Sequence, residues 1–292
     1  MTAPLRGVIA AIATPITADQ RPDEARFLKL GQHLLDNGCD ALNVLGTTGE
    51  ATSFALGDRL SLMSAAAGKL DRKRMMVGTG AAALGDAIAL TRHAAELGFA
   101  GALVLPPFYY KGVSEDGVFA YVSAIVAATA GTPVPLYLYH YPALSGVPYT
   151  PELVGRLIEA FPARIVGLKD SSGDLPFERL LAERHKGFSV FPANEATLLE
   201  GRAGLFAGCI SATCNLNADL CAKAWHAGDS DALATAVSIR KLFDGKPLVA
   251  GVKAGLAHIH HDAAIAEPMP PLTAWAAAEA TDLAARLDAA RG

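Results

Sequence analysis

Three short polar runs each stand at the end of an apolar run, and they carry side chains able to do covalent or proton-transfer chemistry. They are Gly46-Thr47-Thr48-Gly49-Glu50, Tyr139-His140-Tyr141-Pro142 and Lys169-Asp170-Ser171-Ser172-Gly173-Asp174. Lys169 directly follows Ile165-Val166-Gly167-Leu168, so a strand there carries its ammonium into an apolar interior. Desolvation lowers a lysine pKa, and a neutral amine attacks a carbonyl carbon to form a Schiff base. A lysine that snorkels to solvent, or pairs with Asp170 or Asp174, satisfies the same pattern. Tyr139 ends Leu136-Tyr137-Leu138, and a phenol at such a rim either shuttles protons at carbinolamine and hydroxyl oxygens or is a core tyrosine with a satisfied hydroxyl. In Gly46 to Glu50, two glycines around Thr47 and Thr48 let backbone N–H groups converge on a carboxylate or phosphate. A plain tight turn has the same composition. The G-x-x-x-x-G-K-[ST] spacing of a nucleotide loop is absent, and Glu50 is expected to anchor the loop.

The elements that must hold these groups follow from periodicity. Glu24 to Asn37 places Phe27, Leu30, Leu34 and Leu35 at helical spacing, Gly38 stops it, and Ala41 to Leu45 follows as a strand. The same order recurs with Asp86 to Leu97, Gly98 and Ala102 to Leu105, and again with Leu198 to Ala203, Gly204 and Ala207 to Ile210. Val8 to Ala13, Arg74 to Gly78, Leu136 to Tyr139, Ile165 to Leu168 and Ser189 to Phe191 complete about eight strands, the unit count of a (β/α)8 barrel. A doubly wound sheet is the competitor. It wants a G-x-G-x-x-G turn after the first strand, where this chain has Thr14-Pro15-Ile16-Thr17. The fold expected is an α/β TIM barrel over residues 1–215 with a helical extension over 216–292, the latter serving packing or assembly.

Composition narrows the function classes. The 292 residues are 51% hydrophobic with a net charge of -4 and show no basic run longer than Arg72-Lys73-Arg74, which points away from nucleic acid or acidic membranes and toward a small molecule. Cys39, Cys209, Cys214 and Cys221 form no C-x-x-C pair, a usage that suits the cytoplasm. Gly117 to Thr150 lacks Asp, Glu, Lys and Arg, but Gly131, Pro133 and Pro135 break it into a helix ending near Ala130 and a buried strand. The apolar stretch from Gly7, with Ala11-Ile12-Ala13, imitates a signal peptide and is expected to be a buried strand. His258-Ile259-His260-His261 is the one histidine cluster; it lies in the extension, away from any strand end, so packing is expected over metal binding.

Taken together, Gly46-Thr47-Thr48-Gly49-Glu50, Pro107-Phe108-Tyr109-Tyr110, Tyr139-His140-Tyr141-Pro142, Gly167-Leu168-Lys169, Gly208-Cys209-Ile210-Ser211 and Pro268-Met269-Pro270-Pro271-Leu272-Thr273 resemble the dihydrodipicolinate synthase and N-acetylneuraminate lyase family in order and spacing. The resemblance implies a class I aldolase or lyase acting on pyruvate or a 2-oxo acid, with no metal and no cofactor. Lys169 matches its Schiff-base lysine, Tyr139 its proton-relay tyrosine and Thr47 the threonine that passes protons onward. Gly46, Thr47 and Thr48 match the loop whose N–H groups hold the substrate carboxylate, and Ile210 a residue whose backbone faces the pyruvyl group. Tyr109 matches a tyrosine that enters a neighbouring subunit's site, which implies a homo-oligomer, a tetramer or dimer.

Two departures bear on the substrate. Leu144 stands where the synthases carry an arginine for the second substrate's carboxylate, and Glu195-Ala196 retains one carboxylate of the sialate lyases' pair. The tyrosine motifs look closest to the 2-keto-3-deoxy sugar-acid aldolases, with Ser171, Ser211 and Tyr110 as partners for a hydroxylated substrate. Reversible cleavage of such an acid to pyruvate and an aldehyde is therefore expected. The alternatives are 4-hydroxy-tetrahydrodipicolinate synthase or N-acetylneuraminate lyase and, in other classes, a pyruvate-binding regulator or a metal-dependent hydrolase using His258, His260 and His261.

Overall fold

A computed structural model describes residues 4–291. Eight parallel strands, β1 (Gly7–Ala11), β2 (Ala41–Val44), β3 (Met75–Gly78), β4 (Gly101–Val104), β5 (Leu136–His140), β6 (Ile165–Asp170), β7 (Ser189–Pro192) and β8 (Gly208–Ser211), form a sheet in the order β7-β6-β5-β4-β3-β2-β1-β8. The Ala207 N–H donates to Val190 O across the remaining seam, so the sheet curls into a nearly closed barrel. Helices α1 (Glu24–Asp36), α2 (Leu56–Lys69), α3 (Leu84–Leu97), α4 (Glu115–Ala128), α5 (Pro142–Ser145), α6 (Pro151–Ala160), α7 (Leu175–Arg184), α8 (Leu198–Arg202) and α9 (Cys214–Ala222) lie between and after the strands. This is the (β/α)8 TIM barrel expected from the alternation of short apolar runs and amphipathic helices.

Local chemistry explains the alternation. In α1 the Asp23 carboxylate accepts from Arg26 N–H at the start, and Gly38, at φ 116°, lets the chain turn after the end. Its buried face, Phe27, Leu30, Leu34 and Leu35, gains about 2 kcal/mol per side chain from leaving water. The apolar stretch from Gly7 is β1, buried throughout and paired on both sides. The uncharged segment from Gly117 divides into α4 and β5, and no described helix is long and apolar enough to cross a membrane.

Alternation within the strands fills the barrel. Ile9, Ala11, Met76, Leu103, Tyr137, Tyr139, Phe191 and Ile210 form one interior cluster. A Cβ on either Gly101 or Gly167 would stand 2.6 Å from the Tyr137 ring, so a large aromatic sits between two strands that have no side chain there. Helices α10 (Ser230–Lys241), α11 (Leu248–Ile259) and α12 (Ala277–Arg291) share a core with the barrel, where Val252, Leu256, Leu283 and Leu287 join Val8 and Leu34.

Candidate active site

Parity on β6 settles which way Lys169 points. Gly167 lies against the Tyr137 ring, so Lys169, two residues on, shares that interior side and Asp170 takes the other. An irregularity opposite Leu136 and Tyr137 shifts the β5–β6 register by one residue and leaves Tyr139 directly paired with Lys169. The Lys169 side chain is buried, and its Nζ lies 4.6 Å from the Tyr139 ring centroid. Burial, reinforced by the positive charge of Arg240, lowers its pKa to about 7. Neither alternative open to a strand-end lysine is realised. Asp170 is satisfied by Ser172 Oγ and by the Ser172 and Gly173 N–H groups, while Asp174 caps α7 through the Phe177 N–H.

Behind β6, Glu178 completes the Asp170 cluster. Burial and a hydrogen bond to Asp170 push its pKa up to about 9, so it keeps a proton and donates it to its neighbour. His140 stacks on Phe177 with ring centroids 4.6 Å apart, and its Nδ1 accepts from Tyr149 N–H at 3.0 Å. Burial moves its pKa down.

The Tyr139 hydroxyl lies 2.9 Å from Thr47 Oγ1 and is also hydrogen-bonded by Ser171. Burial raises its pKa, so the phenol holds its proton. The loop after β2 is held in a demanding conformation, with non-glycine Leu45 and Glu50 at φ 53° and 54°. Glu50 anchors it as expected, pairing with the wholly buried Lys253 of α11 and accepting the Met269 N–H at 2.6 Å. The N–H groups of Thr47 and Thr48 have no acceptor among the described residues, which leaves them open to an anion. Beneath Gly46, both amide atoms of buried Asn43 lack a hydrogen-bond partner among the described residues.

These groups meet in a cleft of about 250 Å³ lined by Thr47, Thr48, Tyr139, Lys169, Ser171 and Ile210. Gly46 lines the small adjoining cavity that shares Thr47 and Tyr139. Three expected residues lie elsewhere. Ser211 points away from the cleft because Ile210 takes the inward position on β8; its hydroxyl donates to Glu195 at 2.8 Å. Tyr109 and Tyr110 are 76% and 73% exposed on the loop after β4 and pack edge-to-face against each other. The histidine cluster is dispersed: His258 pairs with Asp288, His260 packs on His33 and His261 faces outward.

Sequence reasoning missed part of the lining. Ala193, Ala212, Arg240, Leu248 and Val249 join Tyr141 and Leu144 there, and three of these five come from the segment expected to serve packing or assembly. No local signal pointed to Arg240; in the fold its Nη1 donates to the buried Glu195 at 3.2 Å.

A family model described as the dihydrodipicolinate synthetase family matches residues 4–290. The chain belongs to that family. It is 35% identical over 233 residues to a 4-hydroxy-tetrahydrodipicolinate synthase from Salinibacter ruber, covering 79% of this chain and 76% of the relative. The structure superimposes on dihydrodipicolinate synthase from Agrobacterium tumefaciens with a TM-score of 0.90 at 28% identity, covering 97% of this chain and 98% of that one. A prophage protein of the same family from E. coli K12, solved in complex with pyruvate, gives 0.90 at 25% identity over 99% of both chains. Membership makes the chain an enzyme, a lyase of the class I, pyruvate-dependent aldolase type.

Proposed function

We propose that the protein reversibly cleaves a 2-keto-3-deoxy sugar acid to pyruvate and an aldehyde through an imine on Lys169. The observation that carries this reading is a buried lysine with its pKa lowered to about 7, set in register with a tyrosine whose hydroxyl meets Thr47. The substrate carboxylate docks on the Thr47 and Thr48 N–H groups, bringing its ketone carbon to Nζ. Attack gives a carbinolamine, and Tyr139 protonates the departing hydroxyl to leave a protonated imine. Tyr139 then takes the proton of the C4 hydroxyl, the C3–C4 bond breaks, and its electron pair enters the imine to form an enamine while the aldehyde departs. Thr47 and Ser171 stabilise the transient phenolate by hydrogen bonding. Protonation at C3 and hydrolysis release pyruvate.

A sugar acid is supported over aspartate semialdehyde by Leu144, an apolar residue at the position where the synthases place an arginine, and by the hydroxyls of Ser171 and Tyr141 in the cleft. The exposed Tyr109 and Tyr110 suit a homo-oligomer in which Tyr109 completes a neighbour's cleft. Borohydride reduction with pyruvate tests the chemistry: pyruvyl mass is expected on the peptide carrying Lys169, and an unmodified lysine beside a working aldolase control refutes it. Pyruvate release from a panel of 2-keto-3-deoxy acids, sialic acid and the reverse reaction with aspartate semialdehyde then separates the substrates.

A further inference from the structure

Three cysteines that take no part in the imine chemistry stand in contact behind β8. Cys209 takes the outward side of that strand, because its neighbour Ile210 belongs to the barrel interior, and it packs with Cys214 and Cys221 of α9. Cys214 Sγ lies 4.0 Å from Cys209 Sγ and 3.9 Å from Cys221 Sγ, and all three residues are wholly buried. Hydrogen bonds from Cys209 and Cys221 lower the Cys214 pKa to about 6, while hydrogen bonding to Cys214 and burial hold the other two thiols well above their ordinary value. The set is therefore a thiolate flanked by two thiols, an attacking sulfur beside a resolving one.

One pair of these can close. Cys214 and Cys221 stand seven residues apart on one helix, a rise of about 10 Å, which is beyond the reach of a disulfide. Between Cys209 and Cys214 the chain bends from strand to helix, with Asn215 N–H donating to Ala212 O and Leu216 N–H to Thr213 O, so the two sulfurs meet across the bend. Closure brings them from 4.0 Å to about 2 Å. The cover over the thiols is irregular: within α9 Asn217 leaves helical geometry at φ −137°, and the chain then makes a π-helical turn over Lys223–Ala227.

We propose that Cys209 and Cys214 are a reversible oxidation site for hydrogen peroxide, and that closing their disulfide slows the chemistry in the cleft. Cys214 sulfur attacks one peroxide oxygen and becomes a sulfenic acid; the O–O bond breaks, and the other oxygen leaves as hydroxide, which recovers the proton that Cys214 gave up. Cys209 sulfur then displaces the sulfenic hydroxyl, which takes the Cys209 proton and leaves as a second water. Two thiols thereby give two electrons to one peroxide, and an added dithiol returns them. Burial of all three sulfurs selects an oxidant little larger than water. Drawing Cys209 toward α9 pulls on Ile210, which lines the cleft, and on Ser211 and Thr213, which hold Glu195 and through it Arg240. A close-packed interior leaves little room to absorb such a shift. The bond is independent of the imine reading; its effect on turnover rests on that reading.

The test treats the reduced protein with hydrogen peroxide, blocks the remaining thiols with iodoacetamide in denaturant and maps them after trypsin. Residues 203–223 form one tryptic peptide that carries all three cysteines. That peptide is expected to lose two hydrogens and to be alkylated at Cys221 alone, while Cys39 is alkylated in its own peptide. Borohydride trapping of pyruvate is expected to slow about 10- to 100-fold, the cost of a misplacement near 1 Å at a reacting centre, and dithiothreitol restores it. C209A and C214A should each trap pyruvate after peroxide at their untreated rate, and C209S and C214S repeat the measurement if an alanine variant is unstable. C39A is expected to close the bond and slow as wild type does. Four alkylated cysteines after peroxide, or a bond to Cys221 or Cys39 instead, overturns the site. A closed bond with unchanged trapping, or C209A and C214A variants that slow as wild type does, overturns its effect on the cleft. A reduced protein that traps no pyruvate removes the imine reading and that effect with it, whereas the mass map still decides the bond.

Discussion

Replacing Lys169 by Met should abolish adduct formation and make the protein more stable, because the interior that activates the amine also opposes its charge. The folded pKa of about 7 stands against the ordinary lysine value of 10.5, so between those values the unfolded chain holds a proton that the folded chain releases. Stability of the wild type therefore rises with pH across this window. The charge costs about 5 kcal/mol once both states are protonated, below pH 6, and about 2 kcal/mol of that is recovered between pH 7 and 9. Methionine has similar length and volume and carries no charge, so packing around Tyr139 is largely kept. Urea unfolding of both proteins at pH 6, 7, 8 and 9 measures the difference. The Lys169→Met advantage is expected to be largest at pH 6 and to shrink steadily as pH rises. A variant less stable than wild type, or an advantage that does not change with pH, refutes the claim that Lys169 is buried with a lowered pKa.

Two further perturbations probe the parts around the lysine. Tyr139→Phe removes the hydroxyl that meets Thr47 and should lower kcat about 100- to 1,000-fold, the contribution of a positioned acid–base group, while borohydride still traps pyruvate more slowly. Unchanged turnover in that variant would show that another group moves the protons. Glu50→Gln breaks the buried pair with Lys253 and weakens the hold on Met269 N–H; a loss of about 3 kcal/mol in urea unfolding and a raised pyruvate KM are expected. A variant with wild-type stability and KM would separate the anchor from the loop it is said to support.

How much was legible in the sequence follows from whether a signal is local. Strands and helices alternate with glycine stops, and each cue lies within about a dozen residues, so all eight strands were readable to within a few positions. Lys169 and Tyr139 were legible because each ends an apolar run, and parallel pairing then puts such ends on one rim. Parity was harder. Whether Ile210 or Ser211 faces inward depends on how β8 pairs with β1, which the short run Gly208–Ser211 leaves open, and Ser211 proves to serve Glu195. Arg240 was hidden for another reason: beside Lys241 in an alanine-rich helix, it looks like an ordinary solvated charge, and only the folded chain brings it to Glu195, 45 positions away.

Outward placement of Asp170 helps to keep the Lys169 pKa low. A carboxylate about 4 Å from the ammonium contributes about 4 kcal/mol at an effective dielectric near 20, close to three pKa units, which would largely cancel the effect of burial. Strand alternation sends Asp170 to the far side of β6, where Ser172, Gly173 and protonated Glu178 supply donors that hold it there. On the near side the fixed charge is Arg240, whose sign pushes the lysine toward its neutral form. One arrangement therefore does two things: it keeps the Lys169 pKa near 7 and leaves the cleft lining with basic side chains and no carboxylate, as the proposed chemistry on an anionic 2-oxo acid would require. A carboxylate placed in the lining, for instance by Ala212→Asp, would oppose both effects at once, which is the physical reason a cleft of this chemistry keeps its acids behind the strands.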